Sequence, residues 1–184
     1  DKTERMEIRF SSSKSQTLQL EIKKPFVQFT LKDVKPIGRN FVLSGTISLR
    51  DHETSLSIVE IIAIRRIDKK IYNFEMRHHD LNDLIMVEGI IFFEKLKEPE
   101  LPLNSRWDLY IKVRDENNMI ILYELIDVQG LRKILKEEDR FLLSLQDEND
   151  KIRVIYATEG KKSLALWFTD QSQFEKTYKI TTGK

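Results

Sequence analysis

The sequence predicts an all-β fold, an immunoglobulin-like antiparallel β-sandwich with one short helix. The first observation is a single stretch, residues 106–114, in which polar and apolar side chains alternate without a break. Successive side chains of a strand leave opposite faces of the sheet, so this alternation indicates a half-buried strand. The second observation is the number of short alternating segments, which are closely spaced and separated by turn-forming residues. Many short strands with one helical segment favour a sandwich or barrel.

The alternating stretch is predicted to be the centre of this sandwich. A tryptophan at the start of such a strand is large enough to fill the middle of a small core. Turn-forming residues at 104–105 and 115–118 set the two ends of the strand. The side chains expected to form the core are Trp107, Leu109, Ile111 and Val113.

The remaining strands are predicted in chain order. Alternating residues around Ile8 and Leu20 indicate an N-terminal hairpin that Pro25 closes. The segment 58–67 is apolar on both faces, which is typical of a central strand. Gly45 marks a bulge or a close approach of two backbones. The strands after the hairpin are predicted at 26–31, 41–49, 58–67, 71–76, 84–93, 106–114, 120–126, 141–145, 152–156 and 164–168.

Three further segments complete the predicted organisation. Residues 78–83 are predicted to be a polar loop, and residues 178–182 one more strand or an exit linker. Residues 130–138 are predicted to form the one short helix, because Leu131, Ile134 and Leu135 recur at helical offsets. The chain then divides into an N-terminal hairpin or linker (1–24), a β-sandwich domain (25–170) and a C-terminal strand or linker (171–184).

Composition limits the function classes. The 184 residues carry 31 basic and 30 acidic side chains, so we expect no nucleic-acid partner. The absence of cysteine excludes disulfides and thiolate metal sites, and it favours a cytosolic protein. No apolar run approaches the roughly 20 residues of a membrane span, so we expect no transmembrane segment. The chain begins at Asp1 rather than Met, and we interpret it as a fragment of a longer protein.

Catalytic patterns are not found in the sequence. His78, His79 and Asp80 could hold a metal ion, but adjacent side chains diverge on an extended chain and a third ligand is not evident. The sequence has no Gly-x-Ser-x-Gly elbow and no glycine-rich phosphate loop, and its paired carboxylates lie in turns. We therefore expect no catalytic residue, no metal and no cofactor in this chain.

Basic clusters and aromatic rings supply the candidate binding residues. A basic cluster can bind the phosphates of an anionic polymer or of a lipid headgroup, or it can serve solubility and protect strand edges. Lys69 and Lys70 form one such cluster. The basic residues predicted to bind a polymer are Arg65, Arg66, Arg106, Lys112, Lys161 and Lys162.

Two aromatic side chains are predicted to form a platform for a sugar or a partner protein. Trp167 lies on the face opposite Leu164 and Leu166, so we expect it to point outward, as does Tyr110 on the central strand. Exposed aromatic rings suit both kinds of ligand. A second covering layer or a subunit contact is the more ordinary explanation for Trp167.

Several short motifs occur together in the stretch 26–168. Phe93-Glu94 is followed by Leu103 and then by Trp-Asp-Leu-Tyr-Ile-Lys-Val at 107–113. The segment 156–166 is similar to a Tyr-x-Thr-x-x-Gly-Asn-Leu-Ser-Leu signature, although its Gly-Asn-Leu-Ser-Leu part is not intact. Together these motifs resemble a β-sandwich module of Gram-positive teichoic-acid glycosyltransferases and CDP-glycerol glycerophosphotransferases.

The resemblance implies a non-catalytic accessory domain whose catalytic transferase domain is missing from this chain. It also implies a cytoplasmic location, peripheral at the inner face of the membrane through the parent protein. The expected roles are subunit or interdomain contact, with a possible homo-oligomer, or binding of a teichoic-acid polymer. Two alternatives stay open: a free-standing carbohydrate-binding module and a purely structural oligomerisation domain.

Overall fold

The computed structural model describes residues 7–12, 18–23, 27–49, 55–81, 84–96, 104–128, 141–146, 151–158 and 163–182. The predicted all-β fold is confirmed, since these residues form twelve strands and two helices. The strands are β1 (Glu7–Ser12), β2 (Leu18–Lys23), β3 (Val27–Ile37), β4 (Asn40–Leu49), β5 (Leu56–Arg65), β6 (Ile71–Leu81), β7 (Leu84–Ile91), β8 (Ser105–Asp115), β9 (Ile120–Leu125), β10 (Phe141–Gln146), β11 (Lys151–Ala157) and β12 (Leu164–Asp170). The helices are α1 (Phe93–Leu96) and α2 (Gln171–Thr182).

Ten of these strands form one antiparallel sheet in the order β10-β11-β12-β8-β5-β6-β7-β4-β3, with β9 also paired to β8. β6 joins the two layers of the sandwich, because residues 71–76 pair with β5 and residues 76–81 pair with β7. At the far side β10 lies close to β3, so the sandwich is nearly closed into a barrel. β1 and β2 pair only with each other, in a separate two-stranded sheet.

The core is built around β8. The side chains of Trp107, Leu109, Ile111 and Val113 are each 1% exposed or less. Each of them lies opposite a residue on the inner face of β5. The alternating stretch of β8 and the apolar segment of β5 therefore face the interior together. The ring of Tyr72 packs edge-on against Trp107, with 5.5 Å between the ring centroids.

Gly45 marks a close approach of β3 and β4. A Cβ atom at this position would lie 2.6 Å from the ring of Phe29 and 2.6 Å from the carbonyl oxygen of Thr30. The bulge lies in the partner strand, where the register of β3 shifts between Leu31 and Asp33. The glycine therefore lets the two strands pack closely over the core.

Two predictions about local structure are wrong. Residues 78–81 continue β6 and are not a loop, because β7 provides ladder partners such as Val87 for His78. The C-terminal segment is helical through residue 182 rather than a strand or linker. Asp170 caps this helix, since its Oδ1 accepts a hydrogen bond from the backbone N–H of Gln173 at 2.8 Å. The helix predicted at 130–138 lies outside the described residues.

Candidate functional site

The even-numbered side chains of β8, from Arg106 to Arg114, lie on the outer surface of the sheet, away from the core. One edge of β8 pairs with β5, while the other edge pairs first with β12 and then with β9. The outer surface around β8 is therefore formed together with β5, β12 and β9. The outer β8 face is defined here by five residues: Arg66, Arg106, Asp108, Tyr110 and Tyr123.

An ion pair between Arg66 and Asp108 lies at the middle of this face. Nε and Nη2 of Arg66 both donate to Oδ1 of Asp108, at 3.0 and 2.6 Å. The hydrogen bond to Asp108 raises the pKa of Arg66, with smaller contributions from the nearby Tyr156 and Tyr110. Both side chains are partly exposed, so this pair offers a permanent cation and a hydrogen-bond acceptor at the surface.

Two tyrosines form a flat aromatic surface beside this pair. Tyr123 lies opposite Lys112, so it is the diagonal neighbour of Tyr110 on the same face. The two rings stack with 5.3 Å between centroids and an interplanar angle of 11°. Tyr123 remains 45% exposed, and partial burial raises the pKa of its hydroxyl. A ring face with an adjacent hydroxyl can contact both the apolar and the polar sides of a sugar or polyol.

Lys112 lies on this side of the sheet but is engaged in an internal ion pair. Its Nζ is 2.9 Å from Oε2 of Glu60, and the two side chains are only 12% and 16% exposed. Nδ2 of Asn73 also donates to Glu60, at 3.2 Å. Lys112 is therefore both paired and nearly buried, unlike the more exposed Arg66, and we do not include it in the outer β8 face.

Arg65 points to the opposite face of the sheet from Arg66. It is buried, and its guanidinium carbon lies 5.2 Å from the centre of the Trp107 ring. Its Nε donates to Oδ1 of Asp68 at 2.8 Å, and this bonding raises the pKa of Arg65. Arg65 thus covers the core and secures the turn after β5. The other predicted cations, Lys161 and Lys162, lie outside the described residues.

Trp167 lies on the outer face, as the alternation of β12 predicts, but the expectation that it is exposed is wrong. Its side chain is 2% exposed. Phe174 of α2 covers the indole, with 6.2 Å between the ring centroids, and the guanidinium carbon of Arg106 lies 5.3 Å from the ring centre. The covering layer, and not an open platform, explains this residue. The cluster beneath the helix consists of Ile152, Val154, Tyr156, Ala165 and Trp167.

Tyr123 and Asp108 belong to the outer β8 face but were not singled out from the sequence. Pairing the residues of β8 and β9 outward from the turn that joins them would have placed Tyr123 beside Tyr110. A register shift between Val113 and Arg114 complicates that count. Asp108 belongs to the alternating stretch 106–114, but its partner Arg66 is 42 residues away in sequence.

Metal-binding groups and membrane-spanning helices were also sought in the described part of the chain. No set of three or more His, Asp or Glu side chains there is arranged to hold a metal ion. His78 and His79 are successive residues of β6 and so leave opposite faces of the sheet. None of the helices in this part has the length and apolar character needed to cross a bilayer.

The fold is similar to that of S. aureus TarS in two crystal structures. The first match has a TM-score of 0.54 at 14% identity and covers 93% of this chain and 30% of the TarS chain. The second, to TarS 217–571, also has a TM-score of 0.54 at 14% identity, and it covers 90% of this chain and 46% of that one. The chain therefore spans less than half of either structure that it matches. No family model and no curated protein matches the sequence.

Proposed function

We propose that this chain is a non-catalytic accessory domain of a teichoic-acid-type transferase, and that its outer β8 face binds the anionic glycopolymer. The motifs at 93–113 and 156–166 support the class. So does the likeness of fold to part of TarS, a teichoic-acid glycosyltransferase. In this proposal the chemical step belongs to another part of the parent protein, which is cytoplasmic and peripheral at the inner face of the membrane.

The observation that carries polymer binding is the combination of arginines and stacked tyrosines on one face. A glycopolymer of the teichoic-acid type alternates phosphodiesters with polyols or sugars. A protein surface that binds it has to offer cations to the phosphodiesters and flat, partly apolar groups to the polyols or sugars. Arg106 and Tyr110 are four residues apart on a straight strand, which is about 13 Å. An extended ligand lying along β8 can therefore contact both.

Each group on the face has a distinct role in this proposal. The guanidinium groups of Arg66 and Arg106 have the planar donor geometry that suits phosphate oxygens. The carboxylate of Asp108 accepts hydrogen bonds from polyol hydroxyls, and the ring of Tyr123 packs against their carbon chain. Because Asp108 holds Arg66 in place, little side-chain ordering is required when the polymer binds.

Titration of the chain with poly(ribitol phosphate) and poly(glycerol phosphate) at low and high salt tests the proposal. We expect binding that weakens as salt increases. Arg106→Gln should weaken binding about 10-fold, since it removes a hydrogen bond to a charged group. Tyr123→Ala should weaken it about 5-fold through loss of ring contact.

Two matched variants in the other layer serve as controls. Arg77→Gln removes an exposed charge from β6, and Met86→Ala removes an exposed apolar side chain from β7. Both should bind the polymer like the wild type. No polymer binding at low salt, or equal losses in the control variants, would contradict the assignment of the outer β8 face.

A second candidate function, subunit or interdomain contact, is favoured by an exposed apolar corner. Leu81, Leu84 and Met86 are all exposed, and Leu81 lies directly opposite Leu84 in the β6–β7 hairpin. Exposed apolar side chains that adjoin one another often mark contact surfaces. A mass that rises with concentration in sedimentation, and that falls in Leu81→Ser, would identify a homo-oligomer. A monomer at every concentration would leave the missing transferase domain as the partner.

A further inference from the structure

Three segments meet at one end of the sandwich. They are residues 37–40 at the β3–β4 turn, residues 65–71 at the β5–β6 turn, and residues 92–96, which include α1. The last residue of β7, Ile91, pairs with Phe41 at the start of β4, so the β3–β4 turn lies beside α1. The backbone N–H of Phe93 donates to Oδ1 of Asn40 at 3.0 Å, which ties the helix to that turn. β6 runs antiparallel to β7, so the β5–β6 turn lies at the same end. The Nζ of Lys95 joins these elements, because it lies 5.8 Å from the ring centres of both Phe74 and Phe92.

All three segments expose large apolar side chains at this end. Ile67 is 75% exposed at the tip of the β5–β6 turn. Four of the nine large hydrophobic side chains that are exposed in the described part of the chain lie here, so they are concentrated rather than scattered. The four are Ile37, Ile67, Ile71 and Phe92.

The same segments are strongly basic. Two arginines of these segments are already paired, Arg65 with Asp68 and Arg66 with Asp108 on the outer β8 face. The other charged residues are four cations and one carboxylate, whereas the whole chain has a net charge of only +1. The four cations are Arg39, Lys69, Lys70 and Lys95, and the carboxylate is Glu94.

The β5–β6 turn is held in a fixed shape. Arg65 binds Asp68 through its side chain, and its backbone carbonyl accepts a hydrogen bond from the N–H of Lys69 at 2.9 Å. Lys69 has a positive φ of 62°, which closes the turn. Ile67 is therefore presented in one position, so little further ordering is needed when this turn binds to another surface.

We propose that this end of the sandwich docks on an anionic lipid bilayer. The isoleucine and phenylalanine side chains enter the interface between headgroups and acyl chains, while Lys69, Lys70 and Lys95 contact the phosphates. Charge complementarity selects an anionic surface. A turn that projects beyond its strands is suited to a soft interface, because it can sink into the headgroup layer. This surface is separate from the outer β8 face, and the proposal does not depend on polymer binding.

Sedimentation of the full chain with lipid vesicles tests the proposal. The vesicles consist of phosphatidylcholine alone or of phosphatidylcholine and phosphatidylglycerol in equal amounts. Binding should be confined to the anionic vesicles and should weaken with salt. The double variant K69Q/K70Q should lower the partition coefficient about 25-fold, from roughly 5-fold for each lysine near an anionic surface. Ile67→Ser should lower it about 10-fold.

Ile58→Ser is the matched control, because Ile58 is an exposed apolar residue near the start of β5, seven residues or about 23 Å from Arg65 at its other end. It should bind vesicles like the wild type, and the melting temperature of Ile67→Ser should be unchanged. Absence of binding to anionic vesicles would overturn the proposal. Equal binding to both vesicle types, or equal losses in Ile67→Ser and Ile58→Ser, would overturn it as well.

Discussion

The two tryptophans lie on opposite faces of the paired strands β8 and β12. Both are buried, but the reason for the burial differs. Trp107 of β8 faces the closed interior, whereas Trp167 of β12 faces outward beneath α2. Burial on the inner face follows from the curling of the whole sheet. Burial on the outer face depends on one added element, in which Phe174 supplies the ring that contacts the indole. The alternation of a strand therefore assigns residues to faces, but it does not show which face is in contact with water.

Removal of the inner indole should have the greatest effect on stability. Trp107→Ala leaves a large cavity that neighbouring strands cannot fill, so we expect the free energy of unfolding to fall by about 3–5 kcal/mol. Urea denaturation monitored by circular dichroism measures this change. A midpoint close to that of the wild type would contradict the placement of Trp107 in the core.

Addition of one methyl group to the inner face should also be costly. Gly45→Ala places a Cβ atom 2.6 Å from the Phe29 ring and from a backbone oxygen, so one of the strands has to move. We expect the free energy of unfolding to fall by about 1–3 kcal/mol through overpacking. Gly38→Ala tests a different cost, because Gly38 has a positive φ of 54° and no atom near the added Cβ. An unchanged stability of Gly45→Ala would show that the inner face is packed more loosely than described here.

On the outer face, loss of the covering ring should cost less and should change the surroundings of one tryptophan. Phe174→Ala should lower the free energy of unfolding by about 1–2 kcal/mol, since Phe174 is only partly buried and truncation leaves an open surface rather than a sealed cavity. In a Trp107→Phe background the fluorescence reports Trp167 alone. We expect its emission to shift to the red and its quenching by acrylamide to increase. An unchanged spectrum would mean that other groups shield the indole.

A small effect that depends on pH is expected where the core meets the β5–β6 turn. The guanidinium of Arg65 lowers the pKa of Asp68 from 3.8 to about 2. A lowered carboxyl pKa adds stability above the unfolded value, and this contribution is lost as the pH falls from about 4 through about 2. Melting temperatures of the wild type and Asp68→Asn should therefore differ at pH 5 and converge towards pH 2. A constant difference would show that the charge of Asp68 does not stabilise the fold.

The sequence predicted the strands well because their signals are local. Alternation along β8 and the doubly apolar β5 identified the strands that lie at the centre of the sheet. The covering helix α2 was not predicted, because residues 177–182 include one tyrosine, one isoleucine and three threonines. These residue types are weak helix formers. The helix starts at the cap formed by Asp170. In the sequence, an aspartate at this position is as typical of a turn after a strand as of the start of a helix.

The candidate site was predicted only in part because it depends on distant pairings. Arg66, Arg106 and Tyr110 were recognised as basic or aromatic residues on their own strands. Charge alone could not separate Arg66, which is partly exposed beside Asp108, from Lys112, which is nearly buried beside Glu60. That difference arises from the register of β5 against β8, which brings residues about 40 to 50 positions apart into contact.

The most direct test of the account is to map the polymer-binding residues by nuclear magnetic resonance. Poly(ribitol phosphate) would be titrated into the ¹⁵N-labelled chain at low salt, and the shifts of backbone amide and arginine Nε–H signals recorded. The account predicts that the largest changes gather on the outer β8 face, at Arg66, Arg106, Asp108, Tyr110 and Tyr123. Changes centred on the β6–β7 corner, or spread evenly over exposed lysines, would contradict it.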